Sequence, residues 1–265
     1  MNSIKRLNKG LVAWRSRFDA RFMIAIFSGL CNAGAHASAF EPDRDWFFAT
    51  CKSLHNFKRT SASTAVPTSV ARLNDQAIES INGFFDLWKV HGDGDQRKLA
   101  YILATARRES QGTWRPVREA PGCGTDETCR EKAIGKLLSS RALASGRPVA
   151  ENYAKPAWNG QRYYGRGYIQ LTFPVNYKRA DDKLVTGTKL FDKPDSVMEE
   201  RIAQTILVRA MMEGWYGAKR PLSYWLNAQS EDWLNARNNV NPGSPNKAVT
   251  AESAKEINGC LRPAR

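Results

Sequence analysis

The residue order predicts a mainly helical chain with one small β element. Three windows repeat apolar residues at helical spacing. Ile78, Ile81, Phe85 and Trp88 form one stripe. Leu99, Ile102, Leu103 and Ala106, at i, i+3, i+4 and i+7, form another. Val197 or Met198 with Ile202, Ile206, Ala210 and Met211 form the third. Only one run alternates: Ile169, Leu171 and Phe173 point one way, Tyr168, Gln170 and Thr172 the other, as in a half-buried strand. With 265 residues, 42% hydrophobic and 25% charged, the chain can bury a full core and is not wholly disordered.

Residues 1–39 read as a secretory signal, with an uncleaved N-terminal anchor as the rival reading. They hold six Lys/Arg and one acid, then an apolar run from Phe22 to Leu30 that is short for a bilayer span. Ala35-His36-Ala37 and Ala37-Ser38-Ala39 give small-x-small sites, so cleavage is expected after Ala37 or Ala39. Residues 40–71 form an extension and linker: Asp45-Trp46-Phe47-Phe48 suggests a short helix or docking segment, and residues 61–69 are small, polar and Pro-containing. The main domain is expected over 72–265.

Within it, Asn74 or Asp75 caps the first long helix. His91-Gly92-Asp93-Gly94-Asp95 turns the chain; Asp93 and Asp95 lack the further ligands of a calcium loop, so capping the next helix is the better reading. That helix begins near Gln96 and places Glu109 on its apolar stripe at the C-terminal end. Burial there and the negative end of the helix dipole both favour a protonated carboxyl, as a general acid requires. Glu119, between Pro116 and Pro121, sits in a loop where an ionised carboxylate can stay wet. Two carboxyls in unlike settings are the usual pair of glycoside hydrolysis. A frayed-end pairing of Glu109 with Arg107 or Arg108 is the bland alternative.

Ile134, Leu137 and Leu138 suggest a short helix. Tyr153 and Trp158, in a loop, can stack on sugar rings or pad the core rim. Gly165 and Gly167 allow the backbone to turn or approach a ligand. Pro194-Asp195 introduces the longest clear helix, ending near Gly214, and Thr250 caps a last one that stops at Gly259. Cys51, Cys123, Cys129 and Cys260 remain after the signal; in an exported chain an even count suggests disulfides. Cys123 with Cys129 is the first choice, leaving Cys51 with Cys260, although spacing allows three connectivities. Three His, one of them in the signal, disfavour zinc.

Ala104-Thr105-Ala106-Arg107-Arg108-Glu109-Ser110, Arg118-Glu119, Tyr164-Gly165-Arg166-Gly167-Tyr168-Ile169-Gln170-Leu171-Thr172 and Asn176-Tyr177 together resemble glycoside hydrolase family 19, the family of chitinases and lysozyme-like endolysins. The resemblance covers roughly Asp75 to Cys260, and the Gly-Arg-Gly-x-Ile-Gln-Leu-Thr run is its most specific part. It implies a lysozyme-like bilobal helical domain whose small β element, residues 168–172, lines a cleft. It implies Glu109 as general acid and Glu119 as general base in an inverting reaction. Thr172 with Gln170 would position water and the N-acetyl group. Tyr164, Tyr168, Asn176, Asn241 and Trp158 would contact substrate, and Arg166 and Arg237 would order the carboxylates. Arg108 stands where the family usually has His, and Val240-Asn241-Pro242-Gly243 replaces the usual Ile-Asn-Gly.

The expected activity is cleavage of β-1,4 links beside N-acetylglucosamine, in chitin or in peptidoglycan. No metal or organic cofactor is implied, and the chain is expected to be a monomer with no stable membrane insertion once the signal is removed. The formal charge of +14, of which +9 lies outside the first 39 residues, favours an anionic bacterial wall over a neutral fibre. A catalytically silent glycan-binding module is the alternative; both carboxylates speak against it. Charge alone also fits a nucleic-acid binder, but the export signal and the lack of a recognised motif do not.

Overall fold

The computed structural model describes residues 40–51, 54, 73–184 and 189–265. The expected signal, the polar linker at 61–69 and the domain start near Arg72 lie outside the described residues. What is described is mainly helical, as expected: α1 Arg44–Thr50, α2 Asp75–His91, α3 Gln96–Glu109, α4 Glu127–Ser145, α5 Pro174–Leu184, α6 Glu200–Glu213 and α7 Lys247–Cys260.

Local chemistry explains most boundaries. Asn74 accepts from the Ala77 N–H to start α2, and Asp95 accepts from Arg97 to start α3. Asp93 and Asp95 also pair with Lys98, so this acidic turn is neutralised by its own helix. Gly214 ends α6 in the left-handed region, at φ 71°.

Three expectations about helices need correction, and one helix was missed. The helix at 134–138 is not short: α4 runs 19 residues, from an Asp126 cap to Gly146. Its buried positions, Arg130, Ile134, Leu138 and Ala142, form a single i+4 row that includes a charge, so apolarity understates it. Pro194 opens a separate short 3-10 turn ending at Met198; extended backbone at Glu199 breaks it from α6, which is therefore shorter than α4. Thr250 lies inside α7, bonding back to the Asn246 carbonyl, and does not cap it. Helix α5 was not read from sequence, although Pro174 at its first position is a start signal.

The expected strand is also absent. Residues 167–170 form a tight turn closed by a bridge between Arg166 and Leu171, whose backbone groups exchange hydrogen bonds (3.3 and 2.9 Å). Arg118 bridges Arg166 from the other side. Gln170 and Phe173 have positive φ, 52° and 72°, which destroys strict alternation. Ile169 and Leu171 enter the core, but Phe173 is 46% exposed.

The main core gathers α1, α2, α3, α5, α6 and α7; α3 packs most extensively on α7, and α2 on α6. A smaller cluster of Ile134, Leu138, Ala154 and Tyr164 lies under α4. Disulfides join Cys51 to Cys260 and Cys123 to Cys129. The first ties the end of α1 to the end of α7. The extension is further held by Asp43 with Arg262 (2.7 Å) and by pairing of Pro42 with Pro263.

Candidate active site

Glu109 ends α3, where the apolar stripe that buries the helix carries its side chain with it. The side chain is 16% exposed and pairs with Arg237, itself 2% exposed. Arg237 comes from a short 3-10 segment, Asn235–Asn239, after the Trp233 loop. Arg108, beside Glu109 in sequence, feels both Arg237 and Glu109; burial, then Arg237, lower its pKa. Arg237 brings its guanidinium onto Glu109 from 128 residues away, which only tertiary structure can do.

Glu119 is held in a different way. Its carboxylate accepts from the Tyr153 hydroxyl (2.8 Å) and from the Gly165 N–H (3.1 Å). Its backbone N–H donates to the Gly165 carbonyl (2.8 Å). A Cβ on Gly165 would meet Gln170 Oε1 at 2.8 Å and Glu119 Oε2 at 3.1 Å, so the close approach needs glycine. From α4, the fully buried Arg130 donates to the carbonyls of Glu119, Ala120 and Gly124. Burial, then Glu119, push the Tyr153 phenol well above its usual range, so it remains a donor.

Tyr216 relates the two acids. Burial, then Glu109, and more weakly Glu119, push its phenol up to about 12. Its hydroxyl donates to the Gln170 carbonyl (3.1 Å) and also interacts with Thr172. Thr172 donates to the same carbonyl (2.7 Å), and Asn176 donates to the Thr172 carbonyl (2.8 Å). Gln170 braces the turn by donating its side-chain N–H to the carbonyls of Val117 (3.0 Å) and Gly167 (3.2 Å).

The structure therefore brings Glu109, Glu119, Thr172, Gln170, Asn176 and Arg237 into one neighbourhood around Tyr216. It buries Tyr164 and Tyr168, which were expected to contact substrate, and turns Arg166, expected to order the carboxylates, toward Asp195 and Tyr177. Tyr164 is fully buried, donating to Glu127 (2.8 Å). Arg166 stacks on the Tyr164 ring at 3.6 Å and pairs with Asp195 (2.8 Å), contacting neither acid. Tyr168 is buried in a polar knot with Ser80, Glu200 and the Trp114 carbonyl (2.7 Å). Tyr168 lies between Gly167 and Gln170, both at positive φ, within the tight turn that buries it. Trp158 is 80% exposed beside Phe191, and Asn241 is exposed just past Arg237. Sequence reading missed Tyr153, Arg130 and Tyr216 as partners of the acids. Aromatic or basic type was the only local signal they offered.

The glycoside hydrolase family 19 profile, described as chitinase class I, matches residues 53–232, well over half of the chain. The chain belongs to this family. Among curated relatives, it is similar to an acidic 26 kDa endochitinase of Solanum lycopersicum, 34% identical over 90 residues, covering 31% of this chain and 36% of that protein. It is similar to chitinase 3 of Oryza sativa subsp. japonica, 28% identical over 131 residues, covering 48% and 36%. Acidic endochitinase Q of Nicotiana tabacum is 37% identical over 87 residues, covering 29% and 34%. The matches thus span about a third of the length of these relatives. No solved structure matches the chain significantly.

Proposed function

We propose that the chain is an exported glycosidase that cleaves β-1,4 links of N-acetylglucosamine-containing polymers with inversion, using Glu109 as acid and Glu119 as base. The observation that carries this is the contrast between the two carboxyls around Tyr216. One is nearly buried against Arg237; the other is anchored by a phenol and a backbone N–H.

In this reading Glu109 protonates the departing glycosidic oxygen, held in aim by Arg237. Glu119 takes a proton from water on the opposite face of the ring. An inverting pair stands about 6.5–9.5 Å apart to leave room for that water. Thr172, whose hydroxyl is fixed on the Gln170 carbonyl, would help place the water or the N-acetyl group. Asn176 and the exposed Trp158 would bind sugar.

Support for polymer cleavage comes from family membership and from the chitinase names of the relatives. Support for export comes from the basic, apolar and small-residue order of 1–39 and the two disulfides. No helix among the described residues is long and apolar enough to cross a membrane. The domain limits of 1–39, 40–71 and 72–265 belong to the same proposal.

The test is hydrolysis of N-acetylglucosamine oligomers followed by the anomeric configuration of the first product. An inverted anomer is expected. Glu119→Gln and Glu109→Gln should each lower kcat by about 100-fold or more while leaving oligomer binding in place. A retained anomer, or near-normal turnover by either variant, would overturn the assignment. Oligomer binding without turnover by the unaltered chain would favour the silent module.

A further inference from the structure

We propose that a pocket beside the two acids receives a carboxylate carried by the glycan, so the preferred substrate is an N-acetylated β-1,4 polymer with acidic substituents, as in peptidoglycan, over neutral chitin. This rests on the glycosidase reading above and names its substrate class. The pocket, of about 270 Å³, is lined by Asn176, Arg179, Trp215, Tyr216 and Lys219, with Gly217 and Val240 completing the wall. Tyr216 also faces the catalytic neighbourhood, and Asn176 is tied to Thr172, so pocket and acids share a wall.

The lining carries two cations and no acid. Among the described residues neither Arg179 nor Lys219 forms an ion pair, whereas Arg209, on the nearby α6, pairs with Glu213. Arg179 is half-buried, and its two hydrogen bonds, to Asn176 (3.0 Å) and the Trp215 carbonyl (3.5 Å), both leave from Nη1. One edge of the guanidinium thus stays available while the other is fixed, which suits a planar carboxylate. Lys219 is held at positive φ, 54°, in the turn after Gly217, which fixes where its side chain leaves the backbone. A wall whose cations were each paired with a carboxylate would carry no such preference. Here the uncompensated charge is positive and local, distinct from the general excess of the chain.

The experiment compares kcat/KM on peptide-free peptidoglycan oligomers with that on the same oligomers after conversion of their lactyl carboxylates to methylamides. A chitin oligomer of equal length is run alongside. The unaltered protein should prefer the free acid by about tenfold, the scale of charge-assisted hydrogen bonds. Arg179→Gln with Lys219→Gln should bring the ratio to within about twofold. Lys193→Gln with Lys255→Gln, which removes the same charge from exposed sites elsewhere, should keep it. If the double pocket variant does not fold, Lys219→Glu at its exposed position should still lower the ratio. A ratio near one in the unaltered protein, or an unchanged ratio in the pocket variants, overturns the inference. Cleavage of the chitin oligomer with a ratio near one removes this inference alone. Inactivity on every glycan removes the glycosidase reading and the inference with it.

Discussion

At the scale of single residues, the site is an arrangement of supports. Glu119 depends on Tyr153 for one oxygen and on the Gly165 N–H for the other. Tyr153→Phe should therefore lower kcat more than it raises KM, because it frees the proposed base, Glu119, and keeps the aromatic ring. Gly165→Ala should be worse, since its Cβ meets both Gln170 and the carboxylate. Steady-state kinetics beside a thermal melt would separate these effects; equal losses of stability and rate would mean that both residues act on the fold alone. Glu109 and Glu119 could be nominated from sequence because carboxyls at a helix end and in a proline-bounded loop carry local meaning. Tyr153 was not, because nothing in its neighbours shows that its hydroxyl reaches a carboxylate 34 residues away. Tyr164 and Arg166 were expected from the resemblance alone, whereas Tyr168 misled for a physical reason. A polar residue on a strand faces solvent by alternation, but on a tight turn it can point into the protein and find partners there.

At the scale of elements, the caps of α2 and α3 were legible, while the Thr250 cap and several helix lengths were not. Asn74 and Asp95 announce their helices through side-chain oxygen close to the first free N–H groups. Helix α4 hides because one of its buried positions is Arg130, whose charge is satisfied by three carbonyls in the Glu119–Gly124 loop. It starts on Asp126, which accepts from the Cys129 N–H (2.9 Å). Asp126→Ala should cost about 1 kcal/mol of stability, measured by urea unfolding. Activity should fall with it if the α4 terminus helps to hold the Glu119 loop; unchanged activity would show that the Cys123–Cys129 bridge is sufficient. The Gly-Arg-Gly turn is the element that joins the two cores. Arg166 lies on the Tyr164 ring from the smaller cluster and donates to the Tyr177 hydroxyl (3.0 Å) from the larger. Its other partner, Asp195, is opposed by burial, but Arg166 and Arg118 outweigh it and hold the carboxyl below its ordinary value of 3.8. The stabilisation this provides is present above that value and is lost as pH falls through the lower folded one. Asp195→Asn should thus reduce stability at neutral pH and flatten the melting-temperature decline below about pH 4; an unaltered decline would place acid sensitivity elsewhere.

At the scale of the whole molecule, the extension is part of the folded body through residues 40–51. The Cys51–Cys260 bridge closes most of the chain into one loop, with a separation of 209 residues. Cys51→Ser should lower stability by about 5 kcal/mol on the chain-entropy account, and Cys260→Ser by the same amount. The two together should cost no more than either alone. Denaturant midpoints would check this, and additive losses would show that the thiols act separately. The Cys123–Cys129 loop spans six residues, so its removal should cost less stability and be felt in the Glu119 segment instead.

What the sequence by itself determined is whatever local chemistry encodes: helical periodicity, caps, the left-handed stop at Gly214, the even cysteine count and the motif that marks the family. These depend on neighbours within a turn or two. Tertiary structure decided what depends on distant backbone placement. It converted an alternating run into a turn through positive φ at Gly167 and Gln170, and it set Arg237 against Glu109 across 128 residues. It also gathered Arg179 and Lys219 into one wall beside Tyr216. Spacing along the chain cannot report such meetings, because burial and charge compensation are properties of the space that separate segments share.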